Sequence, residues 1–199
     1  MKLLIATRNR DKLKEIKAVF DLPQLELVSA DEVPDMPEVV EDGDTLEANA
    51  IKKAVSCAEF SGLWSMADDT GLEVDALDGA PGVYSARYAG EDATYEDNCH
   101  KLLIELGDAD NRSARFRTVM ALSSPEGEAQ TVDGICDGVI TREKKGDQGF
   151  GYDPVFLPAG HDRTFAELDL AEKNRISHRG LALIEAKQAW LEMLQGLGV

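Results

Sequence analysis

Groups able to do chemistry are densest between Ser65 and Gly90, where Asp68 and Asp69 stand side by side after the apolar run Trp64, Met66 and Ala67. Two adjacent carboxylates repel each other and are costly against a core, so a positive group is expected opposite them. A divalent metal is the simplest such group, with Asp68 and Asp69 among its ligands. On a strand, neighbouring side chains point to opposite faces, so the two aspartates should have different duties. One would hold metal or water while the other anchors the loop. A solvated Asp68-Asp69-Thr70-Gly71 turn at the end of the strand accounts for the same residues with no chemistry at all.

Five other segments carry groups that bear on a phosphorylated, ring-bearing ligand. Thr7, Arg8, Asn9, Arg10, Asp11 and Lys12 supply a hydroxyl, an amide, three cations and the N–H groups of a helix start, a combination that suits a phosphate chain. The glycines of a Walker loop are missing, and capping alone explains Thr7 or Asn9. The acidic stretch 31–44 offers Glu38, Glu41, Asp42 and Asp44, either as a solvated edge or as the source of a further metal carboxylate. Lys52 and Lys53 read as surface residues, or as phosphate partners if their helix lies beside the acidic site. In TREKKGDQGFGYD, 141–153, the glycines at 146, 149 and 151 surround Phe150 and Tyr152. That pattern fits a platform on which a planar ring stacks while the backbone comes close, and it fits a flexible hairpin tip equally well. Finally, Lys173 precedes His178 and Arg179, which follow the N-cap candidate Ser177. Cations in a first helical turn oppose the helix dipole, so an anion is expected near them. Exposed His-Arg pairs are the plain alternative.

The elements that must position these groups follow from periodicity. Lys2 to Ala6 reads as a strand and Asp11 to Phe20 as a helix with Leu13, Ile16, Val19 and Phe20 on one face. Leu25 to Ser29 reads as a second strand. Asp44 and Glu47 resemble a capping box opening a helix from Leu46 to about Phe60, with Asn49, Lys52 and Lys53 on its polar side. Leu72 to Val74 reads as a separate strand after the aspartates. Glu91 to Leu106 reads as a helix, and Ser113 to Ser123 with Ala129 to Ile140 as a hairpin that turns at 124–127. Thr164 to Leu170 reads as a short helical turn. The last helix is amphipathic, with Leu183, Ile184, Trp190, Leu191 and Leu194 expected in the core.

A chain of 199 residues fits one domain, 1–199, folding as one cooperative unit. Its net charge of −17 disfavours non-specific attraction to nucleic acid or anionic lipid. A polyanionic ligand therefore needs a local basic pocket. The three cysteines, Cys57, Cys99 and Cys136, have no paired spacing, so neither a disulfide framework nor a zinc site is expected, and a reducing cytoplasm is. No signal peptide or membrane span is read from the sequence.

Taken together, T-x-N-x-x-K at 7–12, EANAIKKA at 47–54, ADDTGLEVDALDGAPGVYSARYAG at 67–90, GFGYDPVF at 149–156 and EKNRISHRG at 172–180 resemble the inosine/xanthosine triphosphate pyrophosphatases. The resemblance runs nearly end to end. It implies a two-lobed α/β fold around a long mixed sheet flanked by helices, the active site in the cleft between lobes, usually in a homodimer. It implies Mg2+ and cleavage between the α and β phosphates of deaminated purine triphosphates. Carried onto this chain, the phosphates would be held by 7–12, Lys53, Lys173 and Arg179, with Thr70 lining their end of the site. Asp69 would bind metal and act as base, helped by Glu41. Phe150 would stack on the purine beside Gly151, and Tyr152, Asp153, His178 and Arg179 would surround its edge. Arg8 departs from the family, which commonly has a small residue there.

Base choice has a physical basis: donors facing the 6-oxo group reject adenine, and the lack of an acceptor near C2 rejects guanine. Three other readings remain: a pyrophosphatase for pyrimidine or other modified triphosphates, a nucleotide-binding module without turnover, and a haloacid-dehalogenase-type phosphatase. The last needs a D-x-D spacing that is absent here.

Overall fold

The computed structural model describes residues 2–20 and 25–196; the ends of the expected 1–199 domain therefore lie outside the described residues. Seven strands among these residues form a mixed sheet, and helices accompany it. The fold is α/β, as expected. The chain divides into two compact units, residues 1–69, 118–134 and 179–199 in the first and 70–117 and 135–178 in the second.

In the first unit, β1 (Lys2–Ile5) lies parallel between β2 (Glu26–Ser29) and β3 (Trp64–Val74). Parallel neighbours need crossovers, and α1 (Arg10–Val19) and α2 (Leu46–Ser61) supply them. Alternation along β1 separates two apolar layers. Leu3 and Ile5 meet Ile16 and Phe20 of α1, Met66, and Leu183, Trp190 and Leu194 of the last helix, α5 (His178–Gly196). Leu4 meets Met36 and Cys57 of α2. On α5, Leu183, Trp190 and Leu194 are in the core as expected, but Ile184 is 41% exposed.

In the second unit, β4 (Pro81–Gly82) lies antiparallel on the distal half of β3, and β7 (Phe156–Pro158) pairs with the distal half of β6 (Ala129–Ile140). β5 (Ser113–Ser123) and β6 have the bounds read from the sequence. Leu72, Phe116, Phe156 and Phe165 pack with Leu102 and Leu106 of α3 (Tyr95–Leu106). A further short helix, α4 (Leu170–Ile176), starts from an Asp169–Glu172 capping box.

Several boundaries differ from expectation for physical reasons. β3 runs unbroken through Asp68 and Asp69 to Val74, because buried cations meet both carboxylates and no turn to solvent is needed. Thr45, not Asp44, caps α2: its hydroxyl accepts from the Ala48 N–H at 3.1 Å. Asn49 turns inward and accepts from the Gly43 N–H at 2.8 Å. α3 starts four residues later than the charge pattern indicated, at the box formed by Thr94 and Asp97.

Candidate functional site

The first unit gathers one group of ionised side chains around Asp68 and Asp69. β3 sends these neighbours to opposite faces, and each meets its own cations. Asp68 Oδ2 accepts from Arg179 Nη2 at 3.0 Å and Nε at 3.3 Å, and lies 3.0 Å from Lys12 Nζ. Arg179 also donates through Nη1 to Glu15 Oε2 at 2.5 Å. On the α2 side, Lys53 Nζ donates to Glu41 Oε2 at 2.9 Å, lies 3.6 Å from Asp69 Oδ1, and donates to the Asp68 carbonyl at 2.6 Å. Lys12, Asp69 and Arg179 thus belong to one charge network, linked through Asp68 and Lys53.

The two aspartates are driven apart electrostatically. Burial raises the cost of ionising Asp68, yet Lys12 and Arg179 outweigh it and hold the group well below the usual carboxylate range. For Asp69 burial prevails and pushes the pKa up, although Lys53 and Lys12 pull the other way. One aspartate is therefore a fixed anion, whereas its neighbour sits nearer to taking a proton. Lys53 is raised despite its burial, chiefly by Asp69 and then Asp68 and Glu41; burial lowers Lys12.

Other residues of this unit are engaged more locally. Asn9 is the N-cap of α1, its Oδ1 accepting from the N–H groups of Asp11 at 2.9 Å and Lys12 at 3.2 Å. Thr7 Oγ1 accepts from the Asn9 N–H at 3.2 Å. Capping thus explains how both residues shape the loop. Arg8 donates to the Met36 carbonyl at 2.6 Å and lies 3.5 Å from Asp31, so its charge is taken up by the segment after β2. Arg10 is exposed and Asp11 half-buried. Lys52 pairs with Asp42. The anion expected near the start of α5 comes from the chain itself, as Glu15 and Asp68.

The second unit holds a separate group built on aromatic rings. The Gly-rich loop turns tightly at Phe150–Asp153, where the Asp153 N–H donates to the Phe150 carbonyl at 3.3 Å. Asp153 Oδ2 accepts from the Phe150 N–H at 2.8 Å and from Lys173 Nζ at 2.6 Å. Lys173 Nζ stands 4.8 Å from the centre of the Phe150 ring, a cation–π distance. Tyr95, at the start of α3, brings its ring to 5.8 Å from Phe150. Tyr152 is buried, and its hydroxyl donates to the Ser85 carbonyl at 2.9 Å, which anchors the loop. Gly151 contributes its carbonyl, which accepts from Cys99 Sγ at 3.3 Å. His178 is buried and stacks on Phe116 at 4.3 Å, and Thr70 is half-buried on β3.

Two residues of these groups were missed in the sequence. Glu15 is a buried carboxylate on the apolar side of α1 beside Ile16, and its signal was that misplaced charge. Tyr95 gave no signal.

Asp69 and Glu41 converge on one ammonium with hard oxygen donors, the type that Mg2+ takes. Among the described residues, no cluster of three or more His, Cys, Asp or Glu side chains has metal-binding spacing. A two-carboxylate set fits an ion that keeps much of its water and draws its remaining ligands from phosphate.

In this α/β fold the first unit's split aspartate pair set among lysines suits an anionic group, and the second unit's lysine-backed aromatic ring suits a planar one. The chain belongs to the Ham1 family, whose model matches residues 3–189. It is 52% identical over 190 residues to the dITP/XTP pyrophosphatase of Desulforamulus reducens, covering 94% of each chain. It is 50% identical over 196 residues to the dITP/XTP pyrophosphatase of Desulfotalea psychrophila, covering 96% of this chain and 88% of that one. Its structure resembles that of a HAM1 protein from Coxiella burnetii with a TM-score of 0.88 at 41% identity, over 96% of this chain and 99% of the other.

Proposed function

We propose that this protein hydrolyses deaminated purine nucleoside triphosphates, ITP, dITP and XTP, to the monophosphate and pyrophosphate. The observation that carries this reading is the divergence of the two aspartates. Asp68 is locked as an anion between Lys12 and Arg179, while Asp69, 3.6 Å from Lys53 Nζ, is pushed up by burial and so holds a proton more readily than its neighbour. Asp69 then takes a proton from the attacking water, whose oxygen bonds to the α-phosphorus as the bridge to the β-phosphate breaks. Lys53 and Lys12 counter the charge that builds on the leaving pyrophosphate. Arg179, engaged by Glu15 and Asp68, keeps Asp68 ionised and Lys12 oriented. The purine stacks on Phe150, next to Lys173.

Mg2+ is part of this proposal, with Asp69 and Glu41 as its carboxylates. When bound, the ion neutralises phosphate charge. A cytoplasmic homodimer is proposed from the family resemblance; among the described residues no helix is long and apolar enough to cross a membrane. Light scattering on the purified chain measures the oligomer.

The deciding assay is product identity with ITP and Mg2+. Pyrophosphate is expected, and orthophosphate as the primary product refutes the reaction. Asp69→Asn should lower kcat by about 10²-fold or more while nucleotide binding persists. Equal kcat/KM for GTP and ITP would refute the assigned base preference.

A further inference from the structure

We propose that Asp153 is a positioning residue: a single carboxylate oxygen fixes both the Phe150 platform and the Lys173 ammonium, and so sets affinity for the purine ring without reading the base. The inference rests on the preceding assignment of Phe150 and Lys173 to the nucleotide, and it gives Asp153 a different duty from the base-edge contact that the family resemblance implies.

The geometry is specific. Asp153 is 2% exposed and Lys173 3% exposed. Oδ2 of Asp153 lies 2.8 Å from the Phe150 nitrogen and 2.6 Å from Lys173 Nζ. The same ammonium lies 4.8 Å from the Phe150 ring centre and 5.7 Å from that of Phe165. Ring, ammonium and carboxylate therefore form a closed triangle in which moving one member displaces the others. Gly149 is matched to it. Its φ of +71° is a left-handed conformation, and a Cβ there would stand 2.0 Å from Asp153 Oδ2. The carboxylate occupies the space that only glycine leaves.

Charge-assisted hydrogen bonds of this kind are roughly twice as strong as neutral ones. An asparagine at 153 keeps the shape and can turn its one carbonyl oxygen to both donors, but it carries no charge, so the bond to the ammonium is no longer charge-assisted and the buried Lys173 loses its counter-ion. Ring and ammonium are assigned ground-state contacts with the nucleotide, so their loss should appear in KM and leave kcat nearly intact.

The test compares wild type, Asp153→Asn, Gly149→Ala, Lys173→Met and the Asp153→Asn/Lys173→Met double variant, all checked for folding by near-UV circular dichroism. KM and kcat are measured with ITP, XTP and GTP, and hydrogen exchange of the Phe150 amide is followed by NMR. Asp153→Asn should raise KM by about 10- to 100-fold, by the same factor for all three nucleotides. Gly149→Ala should do likewise. The double variant should lose less than the product of the single losses. Exchange at Phe150 should quicken by about tenfold or more in Asp153→Asn. A change in the ITP:XTP:GTP ratios would mean that Asp153 reads the base and would overturn the proposal, as would additive losses or an unchanged KM. If wild type cleaves none of these nucleotides, the functional reading fails by itself. Exchange at Phe150 still decides the positioning claim, because unaltered exchange in Asp153→Asn refutes it without reference to activity.

Discussion

Replacing Lys53 by methionine tests the electrostatic core of the reaction. Lys53 is 7% exposed, and its ammonium lies 3.6 Å from Asp69 Oδ1 and 2.9 Å from Glu41 Oε2. At 3.6 Å and an effective dielectric of about 20, attraction between two unit charges is about 4 to 5 kcal/mol. One pKa unit corresponds to about 1.4 kcal/mol, so removing Lys53 displaces the ionisation of Asp69 upward by at most about 3 units. Water reaching Glu41, whose side chain is 37% exposed, screens part of this, leaving about 1 to 3 units. Lys53 favours the carboxylate form of Asp69, so its loss requires a higher pH to generate the base. The acid limb of kcat/KM should therefore move to alkaline pH by that amount. Methionine keeps most of the lysine volume, but a buried carboxylate that loses its partner costs about 3 to 5 kcal/mol, so Tm should fall as well. Initial rates of pyrophosphate release from ITP, measured between pH 5 and 10 with Mg2+ on folded protein, provide the readout. An acid limb that stays at the wild-type position would refute Asp69 as the base tuned by Lys53.

The remaining predictions concern stability. Thr45→Ala should destabilise the protein by about 1 kcal/mol, while Asp44→Ala should cost less than about 0.5 kcal/mol; urea unfolding separates the two, and the reverse order would refute Thr45 as the cap. Arg112 donates to the carbonyls of Ile140 at 2.7 Å, Gly107 at 3.0 Å and Thr141 at 2.9 Å. Arg112→Met should cost about 2 to 4 kcal/mol in chemical denaturation. Lys12 and Arg179 outweigh burial and hold Asp68 well below the usual carboxylate range, so its contribution is full above the ordinary carboxylate pKa of about 4 and is lost progressively as pH falls below it. Asp68→Asn should therefore lower Tm less at pH 3 than at pH 7, and an equal drop at both would refute the assignment.

Local elements were legible where the pattern was strong. The β5–β6 hairpin has the residues that alternation assigned to it, and α1 and α2 lie where apolar spacing placed them, because pleat and helix period are local properties. Errors fell where a distant partner changed what a residue could tolerate. Asp68 and Asp69 read as a strand end because, by sequence separation alone, no buried cation stood near them; Arg179 is 111 positions away in the chain. Asn49 and Lys53 read as outward-facing by type, and they are inward because Gly43, Glu41 and Asp69 receive them.

The composition and motifs determined the chemical inventory: adjacent carboxylates, lysines at 12, 53 and 173, a glycine-flanked aromatic, and an acidic chain that needs a local pocket for an anion. Only the tertiary structure decided how that inventory is shared out. Ionisation depends on burial and on which opposite charge lies within a few ångströms, and neither is written in linear order. Hence two neighbouring aspartates of the same type became a permanent anion and a carboxylate nearer to protonation, and Arg179 became the partner that holds the first of them.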